Sequence, residues 1–136
     1  MSSVDWQSLK DAAVKARAAA YCPYSGYAVG AAVLGSRGTV FSGCNVENIS
    51  YGASLCAERN AVAQMVASGD HELCALVVVT KDGGSPCGIC LQVLAEFAAD
   101  PALMPILILS ETGAEQVTEL GRLFPQPFTS KEVRSL

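Results

Sequence analysis

Three cysteines and one glutamate carry most of the chemistry available to this chain. They stand as Cys56-Ala57-Glu58 and Pro86-Cys87-Gly88-Ile89-Cys90. Three soft thiolate ligands suit Zn2+, and a zinc held by three protein ligands keeps its fourth position open for water. Structural zinc sites close with four ligands, often as two C-x-x-C pairs. Here the only histidine, His71, sits in the polar run Gly69-Asp70-His71-Glu72 and reads as solvated. Cys22, Cys44 and Cys74 stand alone. Cys74 falls in an apolar run and reads as a small core residue, and Cys44 as a packing residue near the site. With no fourth ligand, an open catalytic zinc is expected over a closed structural one, one ion per chain on Cys56, Cys87 and Cys90. Glu58 is spaced to sit beside the water and carry its proton. The competing reading of Cys87-x-x-Cys90 is a redox pair or an inert one.

Each cysteine motif opens a predicted helix. Three thiolates leave a divalent centre with net negative charge, which blunts its power to acidify water. Free N–H groups and the positive end of a helix dipole stabilise thiolates. Arg59, beside Glu58, is expected to offset thiolate charge by hydrogen bonding to the sulfurs.

The elements that must position these groups are legible from periodicity. Trp6, Leu9, Ala12, Ala13 and Ala16 recur at helical spacing, which predicts a helix over 5–20. Residues 22–26 carry turn chemistry. Strands are predicted over 27–34 and 39–44, joined by a hairpin at Gly35-Ser36-Arg37-Gly38. A polar loop over 45–52 leads to a helix over 54–68, stopped by Gly69. The β-branched run 73–80 reads as a buried strand, and 87–98 as a second core helix. Further strands are expected over 105–109 and 115–118, with a short helix over 119–124. Helix, paired strands, then alternating helix and strand predict an α/β sandwich around a mixed sheet. Both cysteine motifs fall at strand-to-helix junctions, where α/β folds place ligand sites.

Bulk properties narrow the ligand. The chain has 136 residues, read as a single domain over 1–136 with an adequate core. Only 16% of residues are charged, a sparse surface that predicts a homo-oligomer. Net charge is -4 with no run of Lys or Arg, so a small neutral ligand is expected and nucleic acid is not. No basic-then-apolar leader and no apolar run of about 18 residues is seen, which predicts a cytoplasmic protein that does not enter a membrane. Six cysteines then read as metal or redox chemistry before disulfides.

Four pieces in order give a resemblance that covers nearly the whole chain. These are Tyr24-Ser25-Gly26-Tyr27-Ala28-Val29-Gly30-Ala31-Ala32-Val33, then Gly43-Cys44-Asn45-Val46-Glu47-Asn48 with Ser50-Tyr51-Gly52, then Cys56-Ala57-Glu58-Arg59, then Pro86-Cys87-Gly88-Ile89-Cys90. The chain resembles the cytidine deaminases of short-chain, homotetrameric form, whose zinc motif pairs an x-E with P-C-x-x-C. The ending Leu123-Phe124-Pro125-Gln126-Pro127-Phe128 is similar to that family's Leu-Leu-Pro-x-x-Phe. The resemblance implies a three-layer α/β/α sandwich around a five-stranded mixed sheet. It implies hydrolytic deamination of cytidine and 2'-deoxycytidine in pyrimidine salvage, with Cys56, Cys87 and Cys90 on zinc and Glu58 as proton shuttle. Asn45, Val46 and Glu47 would form the sugar loop, with Asn45 and Glu47 hydrogen-bonding the ribose hydroxyls. Tyr27 would pack on the pyrimidine where the family usually has Phe, and its hydroxyl needs a partner if buried. The Ala57 backbone would meet the cytosine carbonyl. Phe128 would reach into a neighbouring subunit's site. Leu91 departs from the family's usual Arg after the last cysteine, while Gln92 is kept.

Other readings stay open at this level. The run 45–48 reads equally as a capping turn, Tyr24, Tyr27 and Tyr51 as half-buried aromatics, and Phe128 as a staple on its own subunit. The rival functions are a deaminase of a modified cytosine nucleoside or blasticidin-type compound, a nucleic-acid editing deaminase, and a zinc-stabilised binding or redox domain without turnover.

Overall fold

The computed structural model describes residues 3–129. Its elements run α1 (Trp6–Arg17), β1 (Gly30–Gly35), β2 (Val40–Cys44), a 3-10 turn (Tyr51–Ala53), α2 (Ala57–Ala67), β3 (Leu73–Thr80), α3 (Gly88–Phe97), β4 (Pro105–Ser110), β5 (Glu115–Glu119) and α4 (Leu120–Leu123). The strands form one five-stranded sheet in the order β2-β1-β3-β4-β5. Only β3 and β4 are parallel, and α3 makes the crossover that a parallel pair requires. The mixed sheet expected from the sequence is thus present.

Alternation along the strands sorts the core into two layers. Ala31, Val33, Leu76, Val78, Ile106 and Ile108 face α2 and α3. Ala32, Ala75, Val77, Val79, Leu107 and Leu109 face α1 through Leu9 and Ala13. Because β3 is covered on both faces, its sequence is a continuous apolar run rather than an alternating one. This is the three-layer α/β/α sandwich.

Local chemistry fixes the ends of the elements. Asp5 caps α1 by accepting from the Ser8 amide at 3.1 Å. After α2, Gly69 takes φ +97°, a left-handed turn that ends the helix as its type predicts. Three boundaries differ from expectation by more than one residue. Helix α1 stops at Arg17 rather than 20, because Ala19 and Ala20 bond back in tighter turns. Strand β1 begins at Gly30 rather than 27, because the Asn45 side chain takes the place of a ladder partner along 27–29. Helix α2 begins at Ala57 rather than 54: the Ser54 hydroxyl accepts from the Asn48 amide, and Leu55 pairs with Val46 in an isolated bridge. Cys74 is only half-buried, so it is not the core residue its run suggested.

Candidate active site

Strand β1 is antiparallel to β3, with Gly30 opposite Val79, so the start of β1 and the end of β3 meet at one end of the sheet. The end of β2 joins them, with Cys44 opposite Gly30. Helices α2 and α3 both begin there. A cavity of about 320 Å3 opens at this junction. Tyr27 and Val29 form one wall, Asn45 and Glu47 a second, and Cys56, Ala57, Glu58 and Cys87 a third. Its size falls at the small end of small-molecule sites.

Cys56 and Cys87 are the N-cap residues of α2 and α3, and Cys90 lies in the first turn of α3. The Cys56, Cys87 and Cys90 sulfurs lie within 4.8 Å of one another, the only such cluster of ligand atoms among the described residues. Cys56 Sγ and Cys87 Sγ are 3.8 Å apart. Two sulfurs at about 2.3 Å from a tetrahedral zinc stand roughly 3.8 Å apart, so the spacing fits that metal. The separation is far too long for a disulfide. The Cys87 sulfur accepts from the Cys90 amide at 3.5 Å, so a free N–H of the helix N-terminus reaches that sulfur.

Arg59 completes the fit. Its Nη2 lies 3.6 Å from Cys56 Sγ and 3.3 Å from the Ser54 carbonyl. Its Nε is buried without a hydrogen-bond partner. A guanidinium with its Nε buried and its Nη2 on the Cys56 sulfur is suited to a centre that carries surplus negative charge. Hydrogen bonds from the Cys90 thiol, then from Arg59 and Cys87, bring the Cys56 thiol down to about 5. The same shared proton, with burial, pushes Cys90 up. The Cys56 thiol therefore ionises ahead of the Cys90 thiol, and ligating a metal requires deprotonated sulfurs.

Glu58 occupies the second position of α2 and is 4% exposed. Burial, followed by the Cys56 thiolate, pushes its carboxyl up to about 7, against the opposing pull of Arg59. A group that titrates there both accepts and donates protons readily.

Asn45 and Glu47 line the cavity, and their side chains are held by the backbone. Asn45 Oδ1 accepts from the Val29 amide at 2.9 Å and its Nδ2 donates to the Tyr27 carbonyl at 2.8 Å. One Nδ2 hydrogen is left over for a ligand. Glu47 Oε1 accepts from the Tyr24 and Ser25 amides at 2.9 and 3.1 Å, and Oε2 accepts from the Ser25 hydroxyl. These bonds, the Ser25 hydroxyl foremost, hold Glu47 below its usual range. The carboxylate keeps acceptor capacity on Oε2.

Tyr27 is 37% exposed, and its hydroxyl donates to the Asp82 carboxylate. Burial, then that bond, pushes the phenol up, and the same bond is the main reason Asp82 is held down. Val46 and Phe128 are not among the lining residues. Val46 spends its backbone groups on Leu55, and the Phe128 ring is 63% exposed while its carbonyl accepts from Gln92. Leu91 packs half-buried on the α2–α3 side of the core. Sequence reading missed Ser25, Thr80, Gly84 and Ser85 in the wall. Thr80-Lys81-Asp82-Gly83-Gly84 carries a turn signal that could have found part of this set.

Comparison with known proteins agrees over most of the chain. The profile of the family described as the cytidine and deoxycytidylate deaminase zinc-binding region matches residues 4–104. The chain is 47% identical over 130 residues to a cytidine deaminase of Mycobacterium tuberculosis, covering 94% of this chain and 92% of that one. It is 39% identical over 132 residues to a cytidine deaminase of Sporosarcina psychrophila, covering 96% of each. Among solved structures, the cytidine deaminase of Burkholderia pseudomallei superposes with a TM-score of 0.85 at 40% identity, covering 92% of this chain and 100% of that chain. The Mycobacterium tuberculosis enzyme superposes with a TM-score of 0.78 at 43% identity, covering 93% and 98%.

Proposed function

Because the chain belongs to the cytidine and deoxycytidylate deaminase family, we propose that its cavity deaminates a nucleoside through Glu58. The protein is a zinc-dependent hydrolase that converts cytidine and water to uridine and ammonia. The observation that carries this reading is the buried Glu58 in the wall beside three convergent sulfurs. Cys56, Cys87 and Cys90 hold the zinc, and Arg59 offsets the charge of their sulfurs. When bound, the zinc would supply a water of lowered pKa.

Glu58 accepts a proton from that water and delivers it to ring N3. Protonation draws electrons from C4, and the water oxygen adds there to give a tetrahedral carbon. Glu58 takes the remaining hydroxyl proton and passes it to the exocyclic amine. The C4–N4 bond breaks, ammonia leaves, and the C4 carbonyl forms. The Ala57 backbone, at the start of α2, holds the ring carbonyl, and the Tyr27 ring packs on the pyrimidine.

Asn45 and Glu47 read the sugar hydroxyls, the first by its spare amide hydrogen and the second by its free lone pair; Val46 holds the loop between them. Remote binding energy of this kind orients the base for attack. 2'-Deoxycytidine keeps the 3'-hydroxyl and is a second substrate. The ionised Glu47 disfavours a 5'-phosphate. The absorbance loss of cytidine, deoxycytidine, cytosine and CMP on zinc-loaded protein tests the loop. Turnover of the two nucleosides far above cytosine and CMP is expected; equal rates on all four would refute the sugar-reading role. Leu91 lies outside the cavity wall, so its departure from Arg gives no support to a modified nucleoside.

The finer reading extends to the assembly. Residues 1–136 act as one catalytic domain in a homotetramer, with Phe128 of each subunit completing a neighbour's site. Exposed Tyr24, Val46, Ile49, Tyr51, Ile89 and Phe128 support it, being apolar surface near the cavity mouth or its flanking loops. Among the described residues no helix is long and apolar enough to cross a membrane. The six free cysteines support a reducing, cytoplasmic location.

A further inference from the structure

The Tyr27 hydroxyl is the part of that residue which packing on a base does not use. It donates to Asp82, 55 residues further along the chain. Asp82 belongs to the turn that leaves β3 and runs through Gly84, Ser85 and Pro86 to Cys87. Thr80 braces this turn from within. Its buried hydroxyl oxygen accepts from the Gly83 and Gly84 amides at 2.8 Å each, and lies 3.4 Å from the same Asp82 oxygen. Tyr27 clamps the turn from across the cavity. A Cβ on Gly84 would stand 2.9 Å from the Tyr27 hydroxyl, so the turn's backbone lies directly against the tip of the ring.

The three sulfur ligands are not equally fixed. Cys90 is buried, Cys56 is half-buried, and Cys87 is exposed. Packing therefore holds Cys87 least, and its position depends on the turn that precedes it. A hydrogen bond to an ionised carboxylate is roughly twice as strong as one between neutral groups. We propose that Tyr27 and Asp82 form a tether that positions Cys87 for the metal, making Tyr27 a positioning residue as well as a wall for the base. This rests on the reading of the three cysteines as the zinc site.

Zinc release to an excess of a chromogenic chelator, followed without substrate, reads the tether directly. Tyr27→Phe keeps the ring and removes only the hydroxyl. Asp82→Ala removes the acceptor from an exposed position, and with it the Thr80 contact at 3.4 Å. Each variant is expected to release zinc about tenfold faster than the wild type, the size of effect seen when a support behind a metal ligand is lost. The double variant is expected to release it no faster than Asp82→Ala alone, because Tyr27→Phe removes a bond that Asp82→Ala has already removed. Wild-type release rates in either single variant, or additive effects in the double, would overturn the tether. Wild-type protein that takes up no zinc would overturn the cysteine site itself, a separate failure visible before any variant is made.

Discussion

Glu58 is a carboxyl kept from solvent in the wall of the cavity. Its cost is calculable in sign. The folded state binds its proton up to about 7, against an ordinary value of 4.5. Between those values the folded state holds more protons than the unfolded one, so stability falls as pH rises through the window. The ionised form costs about 3 kcal/mol by that displacement. Removing the charge therefore stabilises: zinc-free Glu58→Gln should gain on the wild type as pH rises from 5 to 8, by up to about 3 kcal/mol. Urea midpoints of the two proteins at both pH values check this, and a difference that does not change with pH would contradict it. The ligands and Glu58 were legible in the sequence because helix-opening motifs place them by local spacing. Asp82 was not legible as the partner of Tyr27, because only the antiparallel pairing of β1 with β3 brings the ends of those two segments together. The Asn45 amide bonds back to Tyr27 and Val29 on the approach to β1 rather than capping the element that follows it.

At the scale of elements, the site depends on how closely helices sit on the sheet. A Cβ on Gly43 of β2 would meet the Ala61 amide nitrogen and Asn60 Cβ of α2 at 2.8 Å each. Backbone cannot yield there without lifting α2, and α2 carries Ala57 and Glu58 directly behind Cys56. Gly43→Ala should cost about 1–3 kcal/mol of stability by overpacking and lower cytidine turnover with it. A Cβ on Gly52, in the exposed 3-10 turn, would meet nothing within 4 Å, so Gly52→Ala should stay within about 0.5 kcal/mol of the wild type. Equal urea midpoints for the two variants would show that close packing is not what fixes α2. Strand and helix types were legible because periodicity reports burial. The start of α2 was not, since Ser54 resembles an N-cap but spends its hydroxyl on Asn48, leaving Cys56 to cap the helix.

For the whole molecule, sparse charge and exposed aromatics point outward to a partner copy. Among the described residues, Phe128 is not in the wall of its own chain's cavity, and it is exposed. If it completes a neighbour's site, Phe128→Ala and Glu58→Gln damage different chains of one shared site. Mixed subunits of these two poorly active variants, unfolded and refolded together, should then exceed the summed activity of the two alone. Activity no greater than that sum would return Phe128 to a local role. The sandwich was legible from the order of elements, whereas contacts between copies leave only a compositional trace in one chain. The most direct test of the whole account is cytidine turnover by wild-type and Glu58→Gln proteins at matched zinc content. The wild type should release ammonia from cytidine, and the variant should keep one zinc per chain while losing about 100-fold or more of the rate. A zinc-loaded wild type that leaves cytidine intact, or a variant that turns it over comparably, would contradict the assignment of this cavity and its glutamate.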